Sequence, residues 1–255
     1  GTKIDFGVGQ VPYYVTSLDD TNTEGTLRHA LGASNRLILF EVGGCIKIPY
    51  LARLNMTNLE NVTIAGETAP SPGIIIQDGT VFLSRSNKLC VRHITFERGY
   101  DTRQETFKTT SPVTKSYNSN GDALIVQGNG VTKYVWIDHC ATFWSNDEGI
   151  QVWRDVYEGN NPSTIVVENF SITNTIIAEP LYKPESLINP DTGLNYKGHW
   201  QGGVPEYEHN YGTIIGDGIK RLDMQHCLMN EAFWRSPIIG GGCTIVMANL
   251  VSVNS

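Results

Sequence analysis

The stretch VWIDHCATFWSNDEGIQV, residues 135–152, sets the reading of the whole chain. It opens with an apolar pattern closed by Asp138 and His139, and it carries a second acidic pair, Asp147 and Glu148, a few residues later. The first half has relatives elsewhere. An apolar residue, any residue, then His or Asn recurs as Val91-Arg92-His93, Ile137-Asp138-His139, Ile172-Thr173-Asn174, Met224-Gln225-His226 and Met247-Ala248-Asn249, with Ile64-Ala65-Gly66 as an earlier variant. The third positions of the first and last pairs in that series are separated by 93 − 66 = 27 and 249 − 226 = 23 residues. A repeat in the twenties is one turn of a solenoid, and the longer gaps are turns that carry insertions. No such turn buries its apolar face alone. Stacked turns pair strand on strand about 4.8 Å apart and build one continuous core. The pattern therefore predicts an all-β solenoid in which His93, His139 and His226 are structural members of a ladder, with Cys140 and Cys227 stacked beside it.

Composition agrees. The chain has 255 residues, 40% hydrophobic and 18% charged, enough apolar content for a core, with few helix-forming stretches. Net charge is −7 and no Lys/Arg-rich run occurs, which argues against nucleic acid as a partner. No apolar run approaches the length needed to span a membrane, so no membrane role is expected. The chain starts at Gly1 without Met and shows no signal peptide, which suits a mature secreted product or an excised piece. Five cysteines with no CxxC pair support neither zinc nor redox chemistry and suit mostly buried thiols.

Residues 100–120 and 182–210 are rich in Thr, Ser, Pro, Gly and charge and read as long loop insertions. Residues 23–31, TEGTLRHAL, read as a short helix capped by Thr23 or Thr26 that covers the open end of the first turn. With no linker in evidence, residues 1–255 are expected to form a single domain.

The chemistry follows from stacking. Asp122 precedes Asp147 by 25 residues, about one coil, so the two carboxylates are expected to be neighbours. Like charges that close call for a cation. Oxygen donors without nearby Cys suit a hard ion, and Ca²⁺ tolerates irregular geometry. Gln151 shares strand parity with Asp147 and offers a neutral oxygen, whereas Glu148 points the other way unless the strand bends there. Arg235 lies in NEAFWRSPIIGGG, residues 230–242, two or more coils beyond the acids, where Pro237 makes the backbone irregular.

At these residues the chain resembles the family-1 pectate lyases, secreted right-handed parallel β-helix enzymes. VTSLDDTNTEGTLRHAL resembles their N-terminal capping segment, and LILFEVGGCIKI and NVTIAGETAPSPGIII their first turns. GDALIVQG followed by VWIDHCATFWSNDEG resembles their most diagnostic block; IIAEPL, HNYGTIIG and FWRSP resemble later landmarks in the same order. The resemblance implies a right-handed parallel β-helix that binds Ca²⁺ through Asp122, Asp147, Glu148 and Gln151, the last standing where the family often has an acid. It implies that Arg235 is the catalytic base, with Trp234 beside it as a substrate contact. The implied reaction is β-elimination on an acidic polysaccharide, polygalacturonate or pectin, by a secreted monomer. Departures bear on substrate. Gly240 stands where many members have a second arginine, and Tyr211-Gly212 where a lysine is usual, leaving His209 or Lys183 as candidates to replace it. The chain also stops about one coil after Arg235, where family members continue, which implies a fragment, a minimal enzyme or a module capped by another subunit. Other readings stay open: a lyase on another uronate or an esterified pectin, a non-catalytic carbohydrate-binding or tailspike module, and a glycosidase with paired carboxylates.

Overall fold

In the computed structural model, residues 7–49, 52–99, 121–128, 130–145, 147–154, 162–180, 200–201, 204–205, 211–232 and 235–253 are described. They form a parallel β-helix with three long sheets. Sheet I has eight strands, Val11–Val15, Arg36–Phe40, Glu60–Ala65, Asn87–Arg92, Val131–Asp138, Val166–Thr173, Lys220–Gln225 and Ile245–Ala248. Sheet II runs through Gly44–Lys47, Ile74–Gln77, Ile94–Glu97, Ala141–Phe143, Ile176–Ala178, Leu228–Asn230 and Val251–Val253. Sheet III runs through Arg53–Thr57, Thr80–Ser84, Leu124–Gly128, Glu148–Arg154, Tyr211–Ile215 and Ile238–Ile239. Each coil visits the sheets in the order III, I, II. The helix is Leu27–Ala30, capped by Thr26, whose side chain accepts from the His29 amide. Leu27 and Ala30 are fully buried against the first strands, so the helix does close the core at that end.

The repeat read from the sequence is the register of sheet I. Ile64, Val91, Ile137, Ile172, Met224 and Met247 pair in succession. The first five are at most 1% exposed, each worth roughly 1.5–3 kcal/mol of burial. Two positions on, His93, His139, Asn174, His226 and Asn249 all take the left-handed conformation, with φ between 50 and 54°. That conformation turns the chain from sheet I to sheet II, and Asn and His tolerate it better than most residues. The ladder faces outward. His93 and His139 stack at 4.8 Å between ring centroids, and Asn249 Nδ2 lies 2.9 Å from His226 Nε2. Cys140 and Cys227 share the next column with Thr175 between them, so the two thiols are not direct neighbours. All five cysteines are unpaired, and burial pushes the Cys90 and Cys140 thiols up to about 12.

Asp138 is 5% exposed and accepts from Thr173 Oγ1 at 2.6 Å and Asn174 Nδ2 at 2.9 Å, with His139 Nδ1 at 2.9 Å. Burial alone would raise its pKa, but these hydrogen bonds outweigh burial and hold the carboxyl below the usual carboxylate value. Asp138 is thus a rivet between coils. Asp138→Ala is expected to cost on the order of 3 kcal/mol in urea unfolding at pH 7, since it strands buried donors. Because the folded pKa is depressed, the carboxylate's contribution is complete above the unfolded value near 4 and fades as pH falls through the folded one. The gap between wild type and variant should therefore narrow below about pH 4; a gap unchanged with pH would refute the ionic part of this account.

Candidate active site

The edge where sheet III begins brings four side chains into one column. Leu124 pairs with Ile150, and Glu148 with Tyr211. Carried back two residues, the first register sets Asp122 beside Glu148. Ile214 pairs with Ile238, which carried back three residues sets Tyr211 beside Arg235. Asp122, Glu148, Tyr211 and Arg235 therefore stand on four successive coils. The local backbone enforces this. The Glu148 amide donates to Asp122 Oδ1 at 2.8 Å, the Ala123 amide to the Glu148 carbonyl at 3.1 Å, and the Asp147 amide to the Gly121 carbonyl at 3.3 Å. At Gly149 a Cβ would lie 2.6 Å from Ile177 Cγ2, so only glycine lets the strand enter this closely after Glu148. Gly212 allows a similar approach, since its Cβ would meet the Arg235 carbonyl at 2.9 Å.

Asp122, Asp147 and Glu148 each place a carboxylate oxygen within 4.8 Å of the others. Asp122 is 3% and Glu148 2% exposed. Three carboxylates this close, two of them buried, need positive charge. Arg235 supplies some of it: its Nη1 contacts Glu148 Oε1 and lies 3.9 Å from Asp147 Oδ1. Its guanidinium sits over the Tyr211 ring, 3.8 Å from the centroid. Burial lowers the Arg235 pKa, while the charges of Asp147 and Asp122 act against that fall.

The donor set suits a hard divalent cation. All three groups are carboxylates, and among the described residues neither sulfur nor imidazole joins them. Glu148 Oε1 is buried, and the partner that meets it among the described residues is the Arg235 guanidinium. With one oxygen from each carboxylate, the described residues would supply three of the six to eight oxygens that Ca²⁺ takes.

The structure thus gathers Asp122, Asp147, Glu148 and Arg235. Glu148 turns into the cluster, and by register it, rather than Asp147, is the direct neighbour of Asp122. Gln151 lies three residues along the same strand, half-buried between Ile125 and Ile214 of the adjacent strands. Lys183, His209 and Trp234 lie outside the described residues, as do both long insertions for most of their length. Trp153 packs on Gly216, whose Cβ would meet its ring at 2.5 Å, so this indole is structural. Trp144 is 38% exposed, and its Nε1 donates to Glu179 at 3.1 Å, three residues before Asp147. Gly240 has no room for a side chain: a Cβ there would lie 2.4 Å from Asp217 Oδ1 and 2.7 Å from its amide nitrogen. The contact of Tyr211 with Arg235 is one the sequence did not reveal, its only signal being that Tyr211 stands where the resemblance calls for lysine.

No family model matches the chain. Among curated proteins it is similar to "Probable pectate lyase C" of Neosartorya fischeri, 32% identical over 190 residues, covering 73% of this chain and 37% of that protein. The protein of the same name from Aspergillus fumigatus is 33% identical over 190 residues with the same coverage, and that of Aspergillus terreus 30% over 169 residues, covering 66% and 32%. The chain spans little more than a third of the length of these relatives. Among solved structures it is similar to Jun a 1, the major allergen from cedar pollen, with a TM-score of 0.46, 16% identity, and coverage of 94% of this chain and 66% of that one. By sequence the chain is a homologue of the pectate lyase C proteins over 73% of its own length.

Proposed function

We propose that the chain carries the active site of a calcium-dependent lyase that cleaves an acidic polysaccharide outside the cell, with (1,4)-linked galacturonan as its substrate. One observation carries this reading: a guanidinium and three carboxylates converge on one edge of the helix, in a homologue of proteins named pectate lyase. Asp122, Asp147 and Glu148 would hold the cation. When bound, Ca²⁺ would draw charge from a substrate carboxylate and make the adjacent C5–H more acidic. Arg235 would take that proton in its neutral form, which burial favours. The electron pair of the C5–H bond becomes the C4=C5 double bond. The C4–O bond breaks, and the departing sugar oxygen leaves with its pair and takes a proton from water. Trp144, its indole pinned by Glu179, offers an exposed face on which a neighbouring sugar ring can stack.

Gly240 favours a second reading. Its backbone is packed against Asp217, so it cannot supply the second substrate-binding cation expected by resemblance. A less charged polymer, partly methyl-esterified galacturonan, would need it less. Incubation with polygalacturonate, and in parallel with methyl-esterified pectin, in Ca²⁺ at alkaline pH separates the readings. Ultraviolet absorbance from a 4,5-unsaturated product is expected. New reducing ends without that absorbance would indicate a hydrolase, and neither signal would leave a binding module.

A further inference from the structure

We propose that Arg235 is a tethered counter-ion of the acidic cluster, competing with the metal for the same carboxylates, so that a cation binds well only once the arginine has been drawn away. The inference rests on the reading that the cluster holds a cation. Its evidence is the position of the guanidinium. Nη1 touches Glu148 Oε1 and lies 3.9 Å from Asp147 Oδ1, while one oxygen from each of the three carboxylates lies within 4.8 Å of the others. A divalent ion among those oxygens would have the guanidinium as its immediate neighbour, and the two positive charges repel.

Two features hold the arginine there. Its guanidinium sits over the Tyr211 ring, 3.8 Å from the centroid, and Tyr211 by register is on the coil between Glu148 and Arg235. Its backbone is fixed by the Thr213 amide donating to the Arg235 carbonyl at 2.6 Å. The main chain is anchored, so only the side chain is free to leave. A group that offers the guanidinium an alternative carboxylate would release the cluster. A uronate substrate is such a group, and by linkage metal and substrate would then each raise the other's affinity by the same factor. If the arginine occupies the cluster nearly all the time, apparent metal affinity falls by the fraction of molecules in which the cluster is open.

The test is calorimetric titration of Ca²⁺ into the full chain and into Arg235→Gln, Arg235→Lys and Tyr211→Leu, with near-ultraviolet circular dichroism confirming each fold. The expected result is binding at least tenfold tighter in Arg235→Gln than in wild type. Arg235→Lys should fall between them, because a lysine keeps the charge but not the guanidinium's contact with the Tyr211 ring. Tyr211→Leu should tighten binding by a smaller factor. Equal or weaker binding by a folded Arg235→Gln would overturn the competition and leave the cation site standing. No Ca²⁺ uptake by any of the four would overturn the cation site itself, and the competition with it.

Discussion

Arg235→Lys is expected to lower formation of unsaturated product by on the order of 10³-fold, the range a positioned base supplies, while the protein stays folded. Lysine is the sharper substitution. Alanine would leave three clustered carboxylates without their one described cation, confounding loss of chemistry with loss of stability. Lysine keeps the charge but has no second nitrogen to present at the cluster while its head group sits over the Tyr211 ring. The base role also fixes the sign of the pH dependence. Only neutral guanidine accepts a proton. Burial lowers the Arg235 pKa below the ordinary guanidinium value, with Asp147 and Asp122 opposing, so the neutral fraction grows with every step into the alkaline range. Turnover measured at saturating Ca²⁺ should rise with pH in wild type. A rate already flat between neutral and alkaline pH, or a lysine variant with wild-type turnover, would remove Arg235 from the base role.

What the sequence made legible was whatever repeats with the coil. The ladder from His93 to Asn249 could be read because each turn from sheet I to sheet II needs a left-handed residue, and few residue types supply it. The cap at Thr26 was legible for a similar local reason. The acidic cluster was half legible. A spacing of 25 joined Asp122 to Asp147, whereas the register joins Asp122 to Glu148. A slip of one residue reverses the face a strand residue presents, so spacing alone aimed Glu148 away from the cluster it completes. Gly149 carried the missing signal, a residue whose close packing against Ile177 and Thr142 lets the chain enter the strand tightly just after Glu148. The meeting of Tyr211 with its partners was not legible. Glu148 and Arg235 belong to coils on either side, and a long insertion precedes Tyr211, so no period points to their meeting.

Chelation of calcium is expected to abolish turnover, and added Ca²⁺ to restore it. The companion variant is Asp122→Asn, because Asp122 has two roles that this change separates. Its Oδ1 accepts from the Glu148 amide, which sets the entry of the strand, and its charge helps make the cluster a cation site. Asparagine keeps an acceptor oxygen and removes the charge. The fold should therefore survive while Ca²⁺ affinity falls by roughly 10²-fold, about 3 kcal/mol, the scale of one lost charge contact in a partly screened site. Activity of the variant should then be recoverable at high Ca²⁺, with the maximal rate near that of wild type, since in the proposed mechanism Asp122 would hold the ion and move no proton. Magnesium should restore neither protein well. It demands a near-octahedral shell and gives up its water reluctantly, whereas three carboxylates on separate backbone segments offer an irregular set. Full turnover in the presence of chelator would show that the carboxylates do no more than hold Arg235 in place.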